Sequence, residues 1–97
     1  MSNVVLEKSF ISTEDKTFVR ELLHNEEIRD LCVTFTKKDG TQREMFCTLS
    51  ESRIPTDKKP KNTDSVFTDE ALRVFDEKIG EWRSFRWESV IKIEYTT

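Results

Sequence analysis

Leu72-Arg73-Val74-Phe75-Asp76-Glu77-Lys78-Ile79-Gly80-Glu81-Trp82-Arg83-Ser84-Phe85-Arg86-Trp87-Glu88-Ser89-Val90-Ile91-Lys92-Ile93-Glu94-Tyr95 is the stretch that decides the fold. Two aromatic and β-branched runs flank a Gly-bearing turn, and a third apolar run follows a short polar break, which reads as three consecutive strands. Pairing Asp76 with Glu81 sets Leu72 opposite Phe85, Val74 opposite Arg83, Phe75 opposite Trp82 and Arg73 opposite Ser84. Leu72, Val74 and Phe85 then form a core face, and Arg73, Phe75, Trp82 and Arg86 form the other, with the aromatic pair expected to lie under an N-terminal helix. The break Trp87-Glu88-Ser89 is long enough for one turn of 3₁₀ helix, which would fold the last strand across the previous one. That corner predicts a small closed barrel.

Upstream, Leu31, Val33 and Phe35 alternate with Cys32, Thr34 and Thr36, the pattern of a strand with one buried face. A three-residue Lys38-Asp39-Gly40 loop, with Gly40 left-handed, sets Lys37 opposite Thr41, Val33 opposite Met45 and Leu31 opposite Cys47. A two-residue turn would set Cys32 against Cys47 and turn Met45 away from Val33. The hydrophobic pattern therefore favours the longer loop and argues against a disulfide. Before this hairpin, Ser12 or Thr13 can cap a helix from about Glu14 to His24, with Glu14 and Asp15 in its first turn and Phe18, Val19, Leu22 and Leu23 as one apolar stripe. Residues 1 to 11 fit either a short strand or a loosely tied arm. The expected fold is mainly β (α+β), a five-stranded barrel with an N-terminal α-helix, as a single domain over residues 1 to 97. Residues 1 to 30 supply the arm and helix, and residues 31 to 97 the barrel, with a long loop over residues 50 to 69.

Ninety-seven residues can bury one core, covering about 60 to 65% of the surface the unfolded chain exposes. Hydrophobic residues are 35% and charged residues 36%, so the seven Phe and two Trp must supply much of the buried area. No run reaches the ~18 apolar residues of a membrane span, and the first ten residues lack a signal-peptide pattern, which predicts a cytoplasmic protein without membrane contact. The net charge of −3 is uneven: residues 37 to 61 carry seven Lys/Arg against four Asp/Glu, and both flanking segments are acidic. A net acidic chain lacks the long-range attraction of nonspecific nucleic-acid binders, but a local basic patch works within a Debye length of ~8 Å.

Three segments together resemble a known family. They are Val33 to Thr41; Met45 to Leu49 followed by Ile54-Pro55 and Lys58-Lys59-Pro60-Lys61; and Val74-Phe75-Asp76 with Glu81 to Trp87. They are similar to small proteins of tailed bacteriophages described as WYL-like, with an Sm-like, SH3-type β-barrel fold, and the likeness covers about Leu31 to Glu94. The resemblance implies life in the host cytoplasm and a relation to WYL domains, which serve as ligand- or nucleic-acid-sensing modules of bacterial regulators. The Trp-Tyr-Leu tripeptide itself is absent from this chain.

Catalytic chemistry has no visible footing. There is no phosphate-binding Gly-rich loop and no Gly-x-Ser-x-Gly elbow, and no nucleophile has an identifiable base. Acidic pairs such as Glu26-Glu27 and Asp76-Glu77 read as solvated turn residues. His24, Cys32 and Cys47 fall short of the four closely spaced ligands of structural zinc, so no metal and no cofactor are expected. The expectation is a non-enzymatic binding module. In one version it takes nucleic acid or a nucleotide-type ligand: Arg43, Arg53, Lys58, Lys59 and Lys61 meet phosphates, and Arg73, Arg83, Arg86 and Trp82 stack or form bidentate contacts. In the other it is an adaptor or inhibitor that docks on a host protein through the long loop and an edge strand.

Overall fold

The computed structural model describes residues 2–58 and 70–97. In chain order the elements are β1 (Asn3–Glu7), α1 (Thr13–His24), β2 (Arg29–Thr36), β3 (Gln42–Thr48), β4 (Ala71–Asp76), β5 (Glu81–Arg86) and β6 (Val90–Thr96), with one 3₁₀ turn at Thr56–Lys58 and another at Trp87–Ser89. The strands form one antiparallel sheet in the order β1-β6-β2-β3-β4-β5.

Both predicted hairpins form in the expected registers. Val33 pairs with Met45, and the Lys37 amide donates to the Thr41 carbonyl at 2.7 Å across a loop in which Gly40 sits at φ +89°. Asp76 pairs with Glu81, Leu72 with Phe85 and Phe75 with Trp82, around a turn that ends on Gly80 at φ +77°. Positive φ costs a Gly nothing in side-chain clash, which is why both tight reversals end on one. The 3₁₀ corner at Trp87–Ser89 turns β5 into β6.

Two features differ from the expected five-stranded closed barrel. Residues 3–7 form a sixth strand that pairs along the outer edge of β6, Val4 opposite Tyr95 and Leu6 opposite Ile93, with these two apolar side chains turned toward the core. This resolves the strand-or-arm ambiguity through period-two alternation, because Val4 and Leu6 are half-buried while Asn3, Val5 and Glu7 are exposed. The sheet is also not closed. β6 crosses back to pair with β2, so β5 has a ladder partner only in β4 among the described residues. Strong curling replaces closure. In a flat sheet β2 and β5, three strand spacings apart, would be separated by about 14 Å. The rings of Phe35 on β2 and Phe85 on β5 nevertheless stack with centroids 6.0 Å apart, and Trp87 packs edge-on against Phe85 at 5.8 Å.

Helix α1 begins where Ser12 accepts a 3.1 Å hydrogen bond from the Asp15 amide. Val19, Leu22 and Leu23 are buried, but Phe18, expected in the same stripe, is 39% exposed; the buried arc is narrower than the four residues suggested. The helix packs on β3, and its end is tied to the sheet by the Leu49 amide donating to the Leu23 carbonyl at 3.1 Å. Phe10, Leu31, Val33, Met45, Leu72, Val74, Phe85, Trp87 and Ile93 fill the interior between helix and sheet. Strand β3 divides its pairing: its first part runs with β2, and only Cys47 and Thr48 pair with β4, at Asp76 and Phe75. On β2, Asp30 has φ +51° where the register with β6 shifts between Arg29 and Cys32. Among the described residues no helix is long and apolar enough to cross a membrane.

Candidate functional site

Strand alternation divides the β4–β5 hairpin into two faces. Leu72, Val74 and Phe85 point into the core, and Arg73, Phe75, Trp82 and Arg86 lie on the other face, where Phe75 is buried and Trp82 is half-buried and packs against the core cluster. On the outward face the Arg73 guanidinium carbon lies 5.6 Å from the centre of the Trp82 ring, and Phe75 meets the indole edge-on at 5.8 Å. The indole N–H donates to the Lys58 carbonyl, which fixes the end of the Thr56–Lys58 turn over this face. Among the described residues the contacts over Trp82 come from this turn, Arg73 and Phe75, while α1, which the sequence suggested for this cover, packs on β3. At the far end of β5, Arg86 Nε is 3.3 Å from the Glu88 carboxylate, and the Arg86 side chain stays mostly in solvent. Lys58, Arg73, Trp82 and Arg86 therefore share one surface. It has an aromatic plate with a guanidinium over it at one end and a second guanidinium two strand repeats away, about 13 Å along the strand.

The other sequence-predicted residues are elsewhere. Arg43 and Arg83 extend from the core-facing side toward the buried Asp76, whose Oδ2 is 3.9 Å from an Arg43 nitrogen and 3.8 Å from Arg83 Nε. Both contacts are longer than a hydrogen bond, so the two guanidiniums are attracted to Asp76 without being clamped by it. Arg53 donates from Nη2 to the Glu26 carbonyl at 3.0 Å, which ties the segment after β3 to the residues after α1. Lys59 and Lys61 lie outside the described residues, as does most of the long loop expected over residues 50 to 69.

Asp76 also corrects the reading of Asp76-Glu77 as a solvated pair. Its Oδ1 accepts from the amides of Lys78 and Ile79 at 3.0 and 3.1 Å, so it does build the turn, but it is 3% exposed. A carboxylate at the first position of a turn is a familiar signal; its burial under two cross-strand Arg residues is tertiary and could not be read locally. Both thiols are held in the protonated form. Burial pushes Cys47 well above the ordinary thiol range, and burial together with the nearby Glu44 and Glu94 carboxylates raises Cys32. Both are reduced and buried.

The chain itself matches a known family. A model described as WYL_2, Sm-like SH3 beta-barrel fold, matches residues 21–91. The chain belongs to the WYL_2 family. The match begins ten residues before the resemblance read from sequence, inside α1, so the end of the helix is part of the shared pattern. This WYL_2 protein is also similar to an uncharacterized 11.5 kDa protein of the Gp31-cd intergenic region of Enterobacteria phage T4, with 33% identity over 86 residues, 86% of this chain and 84% of that one. No solved structure matches it.

Proposed function

We propose that this phage-related WYL_2 protein is a non-enzymatic binding module that acts in the host cytoplasm in a regulatory role and takes a nucleic-acid or nucleotide-type ligand on the outward face of β4 and β5. The observation that carries the reading is the Arg73–Trp82 pair, held by the Lys58 carbonyl and sharing its face with Arg86. A guanidinium over an indole offers a planar stacking surface and a fixed positive charge together, the combination that base and phosphate require. The test is fluorescence anisotropy with a labelled single-stranded oligonucleotide at 50 mM salt. Trp82→Ala is expected to weaken binding about tenfold, as loss of one base stack does. Binding by the wild type that is indifferent to both Trp82→Ala and Arg73→Ala refutes the assignment of this face.

A second reading rests on β5 having, among the described residues, a ladder partner on one side only. Its free backbone groups suit an extended segment of a host protein, added as a further strand. Affinity purification from host lysate before and after nuclease treatment distinguishes the two readings, because a protein held by strand addition survives nuclease and one tethered by nucleic acid does not.

A further inference from the structure

We infer that the ligand surface does not end at Arg86 but continues around the 3₁₀ corner onto the Lys37-Lys38 hairpin, making one track for a single nucleic-acid strand. The inference rests on the nucleic-acid reading above and adds its path and its further contacts. Two shallow clefts flank the Arg86–Glu88 pair. One, of about 260 Å³, is lined by Ile11, Lys16, Glu70, Arg86, Trp87 and Glu88. The second, of about 330 Å³, is lined by Lys37, Lys38, Arg86 and Ile91 among others. Arg86 and Glu88 line both clefts, and Arg86 also lies on the strand face that carries Arg73 and Trp82.

Charge and chemistry follow that path. Among the described residues that line the path, Lys16, Lys37, Lys38, Arg73 and Arg86 are set against the carboxylates of Glu70 and Glu88, in a chain whose net charge is −3. Ile91, 38% exposed, and Ile11, 59% exposed, give the clefts apolar lips. Cations spaced along a groove with apolar and aromatic surface between them fit a chain that alternates phosphates with bases whose faces are free. A duplex keeps those faces stacked inside and would use only the cations. An acidic peptide would use the cations but leave the Trp82 plate without a stacking partner.

Salt dependence of a labelled twelve-residue oligodeoxythymidylate tests the path. Four phosphate contacts, from Arg73, Arg86, Lys37 and Lys38, predict a slope of about −2.8 in log affinity against log salt, or about 50-fold weaker binding at 200 mM than at 50 mM. Lys37→Gln/Lys38→Gln removes two contacts, so the slope falls to about −1.4 and the loss over the same range to about sevenfold. Lys37→Glu/Lys38→Glu, at exposed hairpin positions, should weaken binding further, with an unchanged urea midpoint showing that the fold is intact. If wild type binds and Trp82→Ala weakens it while both Lys pairs leave the slope unaltered, the track is refuted and the Trp82 face stands. Absence of salt-sensitive binding by the wild type overturns both. Equal affinity for the matching duplex, or for a poly-glutamate peptide of the same length, overturns the single-strand assignment.

Discussion

Phe85→Ala should remove a third to a half of the protein's stability, because Phe85 holds the curl of the sheet where no hydrogen-bonded ladder does. The side chain is 3% exposed and touches two aromatic rings, Phe35 across the curl at 6.0 Å and Trp87 at 5.8 Å. Truncating a buried Phe to Ala costs about 3–5 kcal/mol, part of it for the cavity left between rings that cannot collapse fully. Ninety-seven residues at typical stability per residue amount to about 5–15 kcal/mol, and from the middle of that range the loss is a third to a half. In urea unfolding followed by Trp fluorescence, with a slope near 2 kcal/mol per molar, the midpoint should fall by about 1.5–2.5 M. Phe85→Leu keeps most of the transfer free energy and loses the ring contacts, so it should cost about 1–2 kcal/mol. A double-mutant cycle with Phe35→Leu should give a coupling of about 0.5–1.5 kcal/mol. A loss below about 1.5 kcal/mol for Phe85→Ala, or a coupling of zero, would show that something other than these rings holds β2 and β5 together.

Further outcomes follow from single residues. Asp76→Ala removes two turn hydrogen bonds from a buried site and should cost about 1–3 kcal/mol, whereas Arg43→Ala, which ends one long partly solvated ion pair, should cost less than about 1 kcal/mol in the same urea assay. Thiol titration with a disulfide reagent should find Cys47 unreactive until the chain unfolds. Because folding raises both thiol values, their stabilising effect is full below the unfolded-chain value of about 8.5 and is lost as pH rises above it. The urea midpoint should therefore decline with alkaline pH more steeply for wild type than for Cys32→Ala/Cys47→Ala. At Asp30, φ +51° disfavours a branched side chain, so Asp30→Ile should lose about 1–2 kcal/mol while Asp30→Gly stays within about 1 kcal/mol of wild type.

The parts of this fold that could be read from sequence are those fixed within a few residues. The register of β4 with β5 followed from one turn and the alternation of Leu72, Val74 and Phe85, and that of β2 with β3 from the position of Gly40. The capped start of α1 was visible in Ser12 and the acidic residues after it. What depended on distant pairing was not visible. Asn3–Glu7 carries a weak strand pattern that is decided only by the free edge of β6, ninety residues later in the chain. Closure was inferred from the corner at Trp87–Ser89, but the corner sends β6 to β2 and leaves β5 at the edge. For the site, residue type was legible and grouping was not. Arg73, Trp82 and Arg86 share a face because their spacing along paired strands is even, whereas Arg83, an odd step away, joins Arg43 at Asp76.

The two-residue seam between β3 and β4 makes the molecule mechanically uneven. Four strands, β1, β6, β2 and β3, are laced by long ladders, while the hairpin that carries Trp82 is attached through Cys47–Asp76, Thr48–Phe75 and the rings packed behind it. With so short a ladder at that seam, the hairpin depends on its buried side chains for attachment, and its amides should exchange with solvent in a separate, faster tier than those of β2 and β6.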